Sequence, residues 1–152
     1  MNNQLTQEDI KKLKEEMDYR NTTLRFEIAR EKMVAAAFGD RSENAEYKAA
    51  KQRYYENNRR IGYLKRMIKS STVVEAVIHK DKVSIGSKVK IKFLDSNEID
   101  ELTLETVLNA NPIENIISID SPLGKAIIGK SIGDIVNVDF PDGSHSIEIL
   151  SL

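Results

Sequence analysis

Two long stretches of this chain space their apolar residues alternately three and four apart, and a glycine separates them. After Gly39, the residues Tyr47, Ala50, Tyr54, Asn57, Ile61, Leu64 and Ile68 keep that rhythm without a break. Before it, Ile10, Leu13, Met17 and Leu24 follow the same seam, with Arg20 in one seam position. Ile28 and the run Ala35, Ala36, Ala37 continue the apolar side. A repeat of this kind makes a helix with one narrow sticky stripe, which is the seam of a coiled coil. No proline interrupts residues 1–71, and the only glycines there are Gly39 and Gly62. Thr6 can cap the first helix, with Asp9 three residues on, and Gly39 can end it. A short connection between two long helices gives an antiparallel hairpin. Gly62, inside the second helix, costs about 1 kcal/mol against alanine, and close approach to a neighbour is the one reason the sequence offers for it.

The pattern changes near Ser70 and Ser71. Residues 73–78 read as a strand, and residues 88–93 alternate strictly, so one face of that strand is wet. Residues 101–107, 116–119, 134–140 and 146–150 are further strands, and Pro141, Asp142 and Gly143 form a hairpin turn between the last two. Residues 121–130 hold one short helix closed by Gly129. The expected class is therefore α+β. A coiled-coil hairpin spans 1–71 with its tip near 39–44, and a small antiparallel sheet with one helix on it spans 72–152.

Charge divides along the same line. Residues 1–71 carry a net +5 and residues 72–152 a net −6. A basic half joined to an acidic half suggests two surfaces with different partners, one of them nucleic acid. There is no cysteine, which excludes a disulfide framework and a thiolate zinc site. The first residues have no basic or apolar leader, and no apolar run approaches the roughly 18 residues that span a bilayer. A cytoplasmic monomer without a membrane partner is expected.

Two acids, Asp40 and Glu43, fall where the hairpin turns, in the run Gly39-Asp40-Arg41-Ser42-Glu43-Asn44-Ala45-Glu46-Tyr47. The structural explanation is a capping box for the second helix, with Asp40 at the N-cap and Glu43 three residues on. Ser42 is a rival cap, which would free Asp40 to point outward. The functional explanation is a pair of carboxylates held at the end of a probe, where they can serve chemistry in another molecule. His79 and His145 stand alone in the sequence, and neither is given a metal or catalytic role. Tyr47 and Tyr54 fall on the seam and read as packing residues.

The tip run, continued by Lys48, Ala49, Ala50 and Lys51, closely resembles the signature of the bacterial Gre transcript cleavage factors (GreA and GreB). The run Ser121-Pro122-Leu123-Gly124-Lys125-Ala126-Ile127-Ile128-Gly129-Lys130, followed by Gly133-Asp134-Ile135-Val136, resembles the second signature of that family. The resemblance covers nearly the whole chain. It implies an FKBP-like C-terminal domain that docks on bacterial RNA polymerase, with Ser121, Pro122, Leu123 and Gly124 in the docking segment. The hairpin would enter the polymerase secondary channel and stimulate Mg²⁺-dependent cleavage of backtracked nascent RNA, so that elongation resumes. By position, Asp40 would face a second Mg²⁺ shared with the polymerase, and Glu43 would help hold it and orient or activate a water. Lys48, Lys51 and Arg53 would contact the nascent RNA 3′ end. The chain would then be a cofactor of the polymerase's own hydrolysis, not an enzyme.

Arg41 departs from the family pattern, which more often has an apolar residue there. A cation beside Asp40 lowers that acid's pKa and weakens its hold on a metal, or it pairs with RNA phosphate. It keeps open a second reading, a non-cleaving or inhibitory regulator in the same channel. A generic coiled-coil adaptor is a third; it would be indifferent to tip substitutions beyond about 1 kcal/mol of helix capping.

Overall fold

The computed structural model describes residues 3–39, 44–76 and 79–152. The chain divides into two compact units: Glu8–Ser70 forms one, and Met1–Gln7 with Ser71–Leu152 forms the other. The division near Ser71 agrees with the change of pattern in the sequence. The first residues do not stay with the helices, because strand β1 (Asn3–Leu5) pairs in parallel with β2 (Ser71–Val73).

The helical unit contains α1 (Gln7–Tyr19), a π-helical segment (Arg20–Leu24), α2 (Arg25–Ala36) and α3 (Ala45–Lys69). α1 begins directly after Thr6, and both Thr6 and Asp9 are buried. The arms run antiparallel. Moving along the first arm, Glu16 meets Arg60, Arg20 meets Asn57, Glu31 meets Arg53, and Ala35 meets Asn44. Leu13, Ile28 and Ala35 from one arm and Ala50, Asn57, Ile61, Leu64 and Met67 from the other are buried. Met67 takes the buried place expected of Ile68, which is half-buried.

The π segment follows from the seam. Arg20, Leu24 and Ile28 stand four apart twice in succession, one residue more than the alternation allows, and a π turn takes in an extra residue. The side chains there occupy carbonyls. Thr22 Oγ1 donates to Asp18 O at 2.7 Å, and Asn57 Nδ2 donates to Arg20 O at 3.0 Å. Arg20 Nη1 donates back to Asn57 Oδ1 at 3.2 Å. Asn57, 2% exposed, is thus satisfied inside the seam, as a buried amide must be. Glu16 completes the layer. It accepts from Arg20 Nε at 2.7 Å and, in a two-pronged pair, from Arg60 Nε at 2.8 Å and Nη2 at 3.0 Å.

Among the described residues, Gly62 has no close backbone neighbour outside its own helix. A Cβ there would meet only the end of the Arg66 side chain, at 3.3 Å, so the close approach expected from the sequence is not what this glycine serves.

The second unit is built on a five-stranded sheet in the order β5-β4-β3-β7-β6. The strands are β3 (Lys88–Phe93), β4 (Ile99–Glu105), β5 (Ile116–Ser118), β6 (Ile135–Phe140) and β7 (Gly143–Ser151). The sheet is mixed and not wholly antiparallel as expected: β4 and β5 pair in parallel, because residues 106–115, with a 3-10 turn at Pro112–Glu114, carry the chain back before β5 begins. The strand expected over 73–78 is realised only at Val73. Its partner β1 is three residues long, so the ladder ends there, and Glu75 and Ala76 are irregular. Val77 and Ile78 lie outside the described residues.

Val89, Ile91, Leu102, Leu104, Val138, Ile147 and Ile149 line one face of the sheet, with Ile119 and Ile127 packed on them. Lys88 and Lys90 take the wet face, as the alternation requires. Helix α4 (Pro122–Ile127) covers the core. Its start depends on Gly124, where a Cβ would lie 2.1 Å from the Ser118 carbonyl oxygen. The α+β class read from the sequence is the class observed. Among the described residues, no helix is long and apolar enough to cross a membrane.

Candidate functional site

The end of the hairpin is organised by Asn44. Its Oδ1 accepts from Tyr47 N at 3.0 Å, which makes it the N-cap of α3. Its Nδ2 donates to Ala35 O at 2.6 Å, a carbonyl in the last turn of α2 that Phe38 N also reaches. One amide thus ties the last turn of one arm to the first turn of the other. On the α2 side, Ala37 N and Phe38 N donate to Val34 O and Ala35 O, both at 3.2 Å, and Gly39 takes φ +135°, where a side chain would be strained. Gly39 does follow the helix end, as expected. The cap assigned from the sequence to Asp40, or to Ser42, is held by Asn44. Asp40, Arg41, Ser42 and Glu43 themselves lie outside the described residues.

The three basic residues assigned to RNA sit on α3 and are exposed, but they are not equivalent. Arg53 pairs with Glu31 of α2, which holds its guanidinium against the opposite arm. Lys48 and Lys51 form no ion pair among the described residues and, one turn apart, share a side of α3. Tyr47 and Tyr54 are half-buried on the seam, in keeping with packing roles. They also line a cavity of about 390 Å³ with Ala29, Lys32, Met33 and Ala36. Lys32 Nζ lies 5.1 Å above the Tyr54 ring, a cation–π distance.

The segment assigned to docking is built into the start of α4. Ser121 caps the helix, accepting from Gly124 N at 3.0 Å, and its Oγ donates to Ser118 O at 2.6 Å. Pro122 takes the first helical position, which needs no N–H. Leu123 packs on the core and Gly124 is buried, so of the four only Pro122 is exposed.

Among the described residues, no group of three or more His, Cys, Asp or Glu is placed to hold a metal ion. His145 nevertheless has the partners that sequence reading denied it. Its Nδ1 lies 2.7 Å from Asp95 Oδ2 and its Nε2 lies 3.0 Å from Asp142 Oδ1. Each nitrogen meets its own carboxylate on its own side of the ring, an ion-pair arrangement and not a shared metal point. Asp95 is fifty residues away along the chain, which is why spacing could not reveal it. Asn44 was in plain view, since asparagine ranks with aspartate and serine as an N-cap.

Two family models account for nearly the entire chain. Residues 3–73 match "Transcription elongation factor, N-terminal", and residues 78–152 match "Transcription elongation factor, GreA/GreB, C-term". The chain belongs to the GreA/GreB family. It is 44% identical to transcription elongation factor GreA of Clostridium novyi, over 97% of this chain and 94% of that protein. It is 43% identical to the GreA of Thermoanaerobacter pseudethanolicus, over 97% of this chain and 95% of that one. The solved structure of the transcription factor Gfh1 has the same fold, with a TM-score of 0.50 at 22% identity over 99% of this chain and 97% of that one. A GreA/GreB chain is thus a transcription elongation factor with a helical hairpin and a mixed-sheet domain, the architecture described above.

Proposed function

We propose that this chain stimulates the cleavage of backtracked nascent RNA by bacterial RNA polymerase. The sheet unit docks on the polymerase through the segment around Ser121, Pro122, Leu123 and Gly124. The hairpin enters the secondary channel and brings Asp40 and Glu43 to the polymerase active centre. Lys48 and Lys51 contact the RNA 3′ segment. Arg53 makes that contact only by leaving Glu31. The polymerase performs the hydrolysis, and the chain acts as its removable cofactor.

The observation that carries this reading is the cap. Because Asn44 caps α3, the helix does not need Asp40 and Glu43 as its capping box, and the structural explanation for two acids at this turn loses its main support. Their chemistry fits the proposed role. Mg²⁺ prefers hard oxygen ligands and accepts one or two carboxylates from any single source while keeping several waters. Asp40 and Glu43 would supply part of such a sphere, and the polymerase the remainder. Bound there, Mg²⁺ supplies charge stabilisation to the attacking and leaving oxygens of a phosphodiester. Asp40 contributes a metal-facing oxygen, while Glu43 helps hold the ion and orients the attacking water.

The test is RNA cleavage in a stalled, backtracked elongation complex, measured beside binding to the polymerase. Wild type should stimulate cleavage. Asp40→Asn and Glu43→Gln should bind equally well and lose about 100-fold or more in cleavage rate, Glu43→Gln on the scale of a lost water-activating group and Asp40→Asn through a weakened hold on the metal. If wild type binds without stimulating, the non-cleaving channel regulator that Arg41 keeps open is the function. If nothing binds the polymerase, both readings fail.

A further inference from the structure

The sheet unit ends in a titratable joint. Three strands run their core-facing rows to the same end of the sheet. Val89, Ile91 and Phe93 come from β3, Val136, Val138 and Phe140 from β6, and Ile149, Ile147 and His145 from β7. The histidine therefore occupies the place where the apolar core gives way to solvent. Its ring centroid lies 6.1 Å from that of Phe93 and 5.4 Å from that of Phe140. Beyond it opens a cavity of about 450 Å³, bounded by the β3–β4 turn on one side and the β6–β7 turn on the other. His145 spans the two turns, bonding Asp95 of the first and Asp142 of the second.

A neutral imidazole has a single N–H and can donate to one carboxylate only. Both ring nitrogens here lie within hydrogen-bond distance of a carboxylate oxygen, so the arrangement belongs to the imidazolium. The surroundings favour that ion. Glu98 and Asp100 of the β4 side line the same cavity, and among the described residues no lysine or arginine lines it. The Phe93 and Phe140 rings pack against the imidazole, Phe93 nearly at right angles to it and Phe140 tilted. Asp139 of β6, next in line, is engaged by Ser144 Oγ. Lys92 and Glu148, cross-strand partners on β3 and β7, belong to the opposite face of the sheet by alternation. The hydrogen bond to Asp142 first, and that to Asp95 next, raise the His145 pKa above its ordinary 6.5.

We propose that His145 is a pH-operated clasp: as the imidazolium it ties the β3–β4 turn to the β6–β7 turn, and as the neutral ring it releases one of them and loosens the mouth of the cavity. This device is independent of the hairpin and of the proposed cleavage activity.

The test is a nuclear magnetic resonance titration of the full chain from acid to alkaline pH, following the ring nitrogens of His145 and the backbone amides of Asp95, Ser96 and Asp142. His145→Gln assigns the ring signals. The expected midpoint lies above the ordinary value of about 6.5 and falls in both Asp95→Asn and Asp142→Asn. The turn amides should shift with the same midpoint in wild type and stay flat in His145→Gln. Their exchange protection, corrected for intrinsic pH dependence, should drop several-fold past that midpoint. A midpoint at or below the ordinary value overturns the proposal. So does a ring that titrates while the turn amides do not respond, since that is a surface ion pair without a clasp.

Discussion

Asn44 shows how much one side chain can decide. Local sequence offers three good N-caps in a row, Asp40, Ser42 and Asn44, and the preference scale does not separate them. The choice falls to the residue that also reaches the Ala35 carbonyl, a contact between arms that no local rule contains. Replacing Asn44 by alanine removes both bonds and should cost about 1–2 kcal/mol. Asn44→Asp keeps the cap acceptor and loses only the donor to Ala35, so it should cost less. Urea unfolding of the two variants separates the bonds: equal losses would mean that the cap bond to Tyr47 N contributes nothing, and a costless Asn44→Asp would mean that the Ala35 bond contributes nothing. His145 is the opposite case. Asp142 stands three residues away in the hairpin turn and was in view, whereas Asp95 reaches His145 only because sheet pairing brings the two turns together.

At the level of elements, periodicity carried most of the information. The alternation of three and four located both arms, and the strict two-residue period located β3 to the residue. Legibility failed where pairing decides. The run 73–78 has the composition of a strand, yet only the part opposite β1 forms one. Three-residue β1 is too short to read before its partner is known. The parallel pairing of β5 has the same origin, since strand direction is set by the path of the connection and not by the strand's own residues. The π segment was half-legible, as an extra residue in the seam. Gly62 was misread as a close-contact glycine, and this yields a simple expectation. Gly62→Ala should stabilise the hairpin by about 1 kcal/mol, provided the exposed Arg66 side chain moves by a few tenths of an ångström. A lower midpoint in thermal or urea unfolding would show that Arg66 cannot yield.

Over the whole molecule, the near-zero net charge conceals a basic helical half and an acidic sheet half, and each half has its own pH limit. In the hairpin, the hydrogen bond from Arg60, with help from Arg20, holds Glu16 down from an ordinary 4.5 to about 2 against the opposing effect of burial. A carboxyl with a depressed folded pKa contributes its stability fully above its unfolded value and loses it as pH falls through the folded one. Helical circular dichroism should therefore weaken in wild type as pH drops from about 4.5 toward 2. Glu16→Gln, already without that contribution, should show a smaller change over the same window. In the sheet unit the sign reverses. His145 has a raised pKa, so its contribution is complete below about 6.5 and is lost as pH rises through the folded value. The hairpin's end has another consequence. Both bonds made by Asn44 go to groups that every helix possesses, a backbone amide and a backbone carbonyl, and neither depends on which side chains lie between the arms. The two anchors of the turn, Ala35 O and Tyr47 N, are therefore blind to side-chain identity. A tip taken from another elongation factor that keeps an asparagine at position 44 should leave the helicity of this stalk unchanged, so that what different tips do can be compared on a common handle.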